Sequence, residues 1–91
     1  MSDLTLGIFL DLSNGHLSQD TFDNLTSFPS VVAYETHYGY LLWVPPSLSP
    51  GEADWPSELG LIVEVARANG CRYVLFDIDG PTTAQLPTFD W

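Results

Sequence analysis

The chain has 91 residues, 45% of them hydrophobic and 13% aromatic, which is enough for one packed domain and too little for a second hydrophobic core. Twelve Asp and Glu face only two Arg and no Lys, giving a formal net charge of −10 and a pI near 4.1. Uncompensated negative charge excludes direct nucleic-acid binding and attachment to acidic membranes, and the apolar and aromatic content excludes a disordered acidic tail.

LTLGIFLDL, residues 4–12, alternates with Leu4, Leu6, Ile8, Leu10 and Leu12 on one face and runs into the turn signal SNGH, so it is expected to be the first strand. No basic residue precedes its short apolar run, which Gly7 and Asp11 interrupt; it reads as neither signal peptide nor membrane span. LSQDTFDNLTSF predicts a helix with Ser18 as N-cap, Leu17 and Phe22 as a hydrophobic staple and Asp20 in the first turn. Phe22, Leu25 and Phe28 share one side of it, and Pro29 stops it. VVAYETHYGYLLWV, residues 31–44, predicts two antiparallel strands joined around His37 to Gly39. PPSLSPGEAD is a loop by composition. A second helix is expected from near Asp54 to Pro56, with Leu59, Ile62, Val63 and Ala66 at helical spacing, Arg67 near its negative end and Gly70 as its stop. YVLFDID, residues 73–79, is the last strand, and in the tail Leu86, Phe89 and Trp91 are expected to pack back on the body. The order β-α-β-β-α-β predicts a single α+β domain over residues 1–91. It would be ferredoxin-like, with a four-stranded antiparallel sheet and two helices on one face.

With Leu10, Val74, Phe76 and Ile78 turned to the helices, alternation sends Phe9, Asp11, Tyr73, Leu75, Asp77 and Asp79 to the other face, where Trp43 joins them. Open aromatic sheets stack bases in RNA-recognition domains, but those also need cations for the phosphates. A face of aromatics and carboxylates suits a protein partner or the folded-back tail.

YVLFDIDGPTT resembles the motif of the haloacid-dehalogenase-like phosphotransferases, which implies Asp77 as nucleophile, Asp79 as acid–base and magnesium between them. That family also needs a cation and further acids downstream. Here Arg67 and Arg72 precede the motif, twelve residues follow Asp79, and Pro81 stands where the family usually has Thr. A strand entering a turn is the better reading, so no catalytic residue, metal or cofactor is expected. Asp77 and Asp79, two apart on a strand, could still share one hard cation, which leaves a small metal-dependent hydrolase as an alternative. With the first and last strands antiparallel, Asp11 would lie far from Asp79. His16 and His37 are expected in solvent-exposed turns, and the lone Cys71 as a buried structural thiol.

The acids have a second use. Asp20 and Asp23 at i,i+3, and Asp54 and Glu58 at i,i+4, would be neighbours on helices. With Glu52, Glu64, Asp77, Asp79 and Asp90 they would form a partly continuous negative surface, spaced like the phosphates of a nucleic-acid strand.

ADWPSEL, RANGCRYVLFDID and the closing LPTFDW, with YGYLLWVP, resemble a group of small, functionally uncharacterised bacterial proteins found largely on plasmids and other mobile elements. The resemblance covers roughly the C-terminal 40 residues together with YGYLLWVP, assigns no catalytic residue and implies the genetic context in which small acidic anti-CRISPR and antirestriction proteins occur. The expectation is a non-enzymatic inhibitor in the bacterial host cytoplasm, a nucleic-acid mimic that docks its acids on the basic DNA site of a CRISPR surveillance complex. The alternative is an accessory interaction module or homodimer that uses Phe9, Trp43, Tyr73 and Leu75.

Overall fold

The computed structural model describes residues 8–47 and 51–90, so the readings made for Leu4, Leu6 and Trp91 lie outside the described residues. The elements are β1 (Phe9–Ser13), α1 (Gln19–Asp23), β2 (Ala33–Glu35), β3 (Gly39–Trp43), α2 (Ser57–Ala68) and β4 (Tyr73–Asp77). They form an α+β fold with one four-stranded sheet in the order β1-β4-β3-β2.

That sheet is mixed. β2 and β3 form the expected hairpin and β3 pairs antiparallel with β4, but β1 lies parallel to β4, with Phe9 opposite Tyr73 and Ser13 opposite Asp77. The expectation of an all-antiparallel, ferredoxin-like sheet is corrected at this edge. Alternation fixes which way a side chain faces and says nothing of which strand is the neighbour. Parallel pairing lets β1 exit at the end of the sheet where α2 begins, and there Glu58 accepts the Ser18 N–H.

Both helices cover one face. Leu12, Leu42, Val74 and Phe76 from the sheet are buried against Leu59, Ile62, Val63 and Ala66 of α2 and against Leu17 and Leu25 around α1. Each of these side chains larger than Ala contributes about 1.5–3 kcal/mol relative to exposure. Ile8 and Ile78, expected on this face, lie beyond the strand ends and are exposed.

Both helices are shorter than expected. Ser18 caps α1 by accepting the Thr21 N–H, but the helix ends at Asp23. Asn24 Nδ2 donates back to the Asp20 carbonyl and a 3-10 turn follows over Leu25–Ser27. α2 starts at Ser57 because Trp55, preceding Pro56, is held extended, as a residue before proline must be. Asp54 therefore sits in a separate 3-10 turn, Glu52–Asp54, and is not on a helix with Glu58. Trp55 is buried, and its indole N–H donates to the Pro29 carbonyl at 2.6 Å. Gly70 ends α2 with φ +72°, where a side chain would be strained.

Candidate functional site

The face of the sheet opposite the helices has no cover among the described residues. Its register builds a row of Phe9, Tyr73 and Trp43 across β1, β4 and β3, and the Trp43 N–H donates to the Val32 carbonyl, which extends the row toward β2. Asp11, Leu75, Leu41 and Tyr34 form the next row, and Ser13 and Asp77 a third. Phe9 is 54% exposed, Tyr34 60% and Trp43 36%. Val32, Tyr34, Trp43 and Tyr73 line a shallow, open hollow of about 310 Å³. One end of the face is aromatic and the other carries carboxylates. Phe9, Trp43, Tyr73 and Leu75 thus share a surface as alternation predicted. Val32 and Tyr34 were missed, although the alternation of β2 could have placed them.

The tail does not lie on this face. It folds along the sheet's end, where the Ser13 N–H donates to the Pro81 carbonyl, the Phe89 N–H donates to the Gly15 carbonyl, and Leu86 enters the core. His16 holds it, and the expectation of an exposed turn residue is corrected: His16 is fully buried. Its Nε2 accepts the Thr83 N–H at 3.0 Å, so Nδ1 carries the proton and donates to the Pro87 carbonyl at 2.7 Å. Nothing local marks His16 in the sequence, because its partners lie 67 and 71 residues away. His37 is exposed as expected, and Cys71 is half-buried at the core's margin rather than fully buried.

The predicted acidic residues differ in exposure and in their internal partners. Asp20, Asp23, Asp54, Glu64, Asp79 and Asp90 are exposed. Glu52 is not available: its carboxylate pairs with Arg67 at 3.0 Å and its side chain is only 7% exposed. Arg67 also donates to the carbonyls of Pro45 and Ser47, which binds the loop after β3 to α2. Glu58 is turned inward as well, accepting from the Ser18 N–H and the Thr21 hydroxyl, each at 3.0 Å. Burial pushes its carboxyl up, but the hydrogen bonds from Ser18 and Thr21 outweigh that and hold it below the ordinary glutamate value. The sequence hid this because Glu58 reaches back 40 residues to Ser18.

Asp77 and Asp79 do not share a strand face. β4 stops at Asp77, whose carboxylate accepts the Asp79 N–H at 2.9 Å, while the Gly80 N–H donates to the Asp77 carbonyl. The phosphotransferase-like motif is a turn in which the first Asp secures its own backbone. Asp11, expected far from this end, lies on the same face one row from Asp77, because β1 is parallel. Among the described residues no group of three or more His, Cys, Asp or Glu is placed to hold a metal ion. Among them, too, no helix is long and apolar enough to cross a membrane.

No curated protein and no solved structure matches the chain. Residues 9–91 match the model described as the C-terminal domain of a family of unknown function, DUF5983, and the chain belongs to that family.

Proposed function

We propose that this DUF5983 domain is a non-enzymatic binding module that docks its open sheet face on a basic surface of another protein. The observation behind it is the uncovered row of Phe9, Tyr73 and Trp43, bordered by Tyr34 and by the carboxylates of Asp11 and Asp77, in a chain of net charge −10. Tyr, Trp and Phe are the side chains that protein interfaces concentrate. Aromatic faces also attract guanidinium groups, by about 0.5–2 kcal/mol each, and neighbouring carboxylates strengthen that attraction. A second copy is the poorer occupant, since two surfaces of the same strong negative charge repel.

A second reading is favoured by Asp20, Asp23, Asp54, Glu64, Asp79 and Asp90, six of the exposed acids. In it the domain is an acidic nucleic-acid mimic that blocks the DNA site of a bacterial defence complex such as a CRISPR surveillance complex. Partner, inhibition and bacterial-cytoplasmic setting belong together in that reading. Glu52 and Glu58 contribute little to it because both are engaged internally.

Binding of purified surveillance complexes, measured from about 50 to 500 mM salt, separates the two. On the sheet-face reading Trp43→Asp and Tyr73→Asp abolish association while the double change Asp20→Lys, Asp23→Lys only slows it. If the helix reversals abolish binding and the sheet variants leave it intact, the mimic reading replaces the first.

A further inference from the structure

Around the edge from the aromatic row lies a second hollow, of about 460 Å³, lined by Trp43, Val44, Pro46, Arg67, Cys71 and Arg72. The chain has two cations and both line this one cavity. They differ in state. Arg67 is fixed by Glu52 and by the Pro45 and Ser47 carbonyls, so its charge is already matched. Arg72 has no carboxylate partner among the described residues.

We infer that this cavity binds a small organic acid with a flat apolar body, the carboxylate on Arg72 and the body against Trp43 and Pro46. The volume falls within the roughly 300–1,000 Å³ typical of ligand pockets, and the lining is mixed, with Trp43, Val44 and Pro46 beside the two arginines. A guanidinium takes a carboxylate in two parallel hydrogen bonds, a geometry that lysine cannot offer. The negative end of α2 lies close by, but two of its last carbonyls already have donors: the Cys71 N–H donates to the Ala66 carbonyl and the Gly70 N–H to that of Arg67. The site goes beyond the docking face described above: it uses a cation where that face uses carboxylates, and it shares only Trp43 with it.

The test is an amide and indole NMR titration of the whole domain with phenylacetate and, separately, with its neutral counterpart phenylacetamide. The expected result is saturable phenylacetate shifts at Gly70, Cys71, Arg72 and the Trp43 indole, with phenylacetamide binding about tenfold more weakly, the factor that corresponds to about 1.4 kcal/mol. Arg72 is exposed, so Arg72→Gln keeps the fold and reduces phenylacetate to the level of the amide, while Arg72→Lys loses less. Equal binding of acid and amide, shifts confined to other parts of the domain, or full phenylacetate affinity in Arg72→Gln would each overturn the site. None of these results bears on whether a basic protein docks on the sheet face.

Discussion

Replacing His16 by Ala tests how the C-terminal segment is held. The imidazole is fully buried, and both ring nitrogens are engaged, with the Thr83 N–H and the Pro87 carbonyl. Its removal leaves a cavity, which for large buried side chains costs about 2–5 kcal/mol. It also strips a donor and an acceptor of their partners, at about 1–3 kcal/mol for each that water does not reach. Since the freed tail can move into solvent, the two costs do not add fully, and about 3–5 kcal/mol is expected. A domain of 91 residues has a total stability of about 5–14 kcal/mol, so the loss is a large fraction of it. At about 4–8 °C per kcal/mol for a domain of this size, Tm should fall by about 12 °C or more. Hydrogen exchange read beside the melt should show the Thr83 amide losing its protection. His16→Phe, which fills most of the space without the hydrogen bonds, should fall between Ala and the native residue. A fall in Tm of less than about 4 °C with Thr83 still protected would refute the reasoning, since it would mean the imidazole neither fills space nor ties the tail.

Glu58 makes stability depend on acid pH. Its carboxyl titrates below the ordinary value of 4.5, so its contribution is complete above that value and is lost as pH falls through the lowered one. Urea melts of Glu58→Gln should be less stable than native near pH 7 and converge on it at low pH; parallel curves would remove this role. At Gly39 an added Cβ would sit 2.1 Å from the Phe76 carbonyl oxygen, so Gly39→Ala must open the β3–β4 ladder. A cost of about 3 kcal/mol or more is expected in chemical denaturation, and a native-like melt would show that the two strands lie further apart than described.

Much of the local structure was legible. Ser18 caps α1, Leu59, Ile62, Val63 and Ala66 form the buried stripe of α2, and alternation put Phe9, Tyr73 and Leu75 on one face, because each of these depends on spacing within one element. The later start of α2 was also written in the chain, in the dipeptide Trp55-Pro56, and the turn at Asp77 in the Gly80 that follows Asp79. What stayed hidden depends on groups far apart in sequence. The order of the strands, the inward turn of Glu58 toward Ser18, the ion pair of Glu52 with Arg67 and the burial of His16 are all settled by tertiary packing. That Glu52 and Glu58 are engaged internally was hidden for the same reason: composition counts carboxylates, and only the fold tells which of them already have partners.

The claim that the open sheet face receives a cationic protein surface is tested most directly by titrating the labelled domain with an arginine-rich peptide and mapping amide and indole shifts. The shifts should gather on Phe9, Asp11, Leu41, Trp43, Tyr73 and Leu75, with the Trp43 indole moving and the buried Trp55 indole still. Shifts concentrated instead on Asp20, Asp23 and Glu64 of the helices would contradict it.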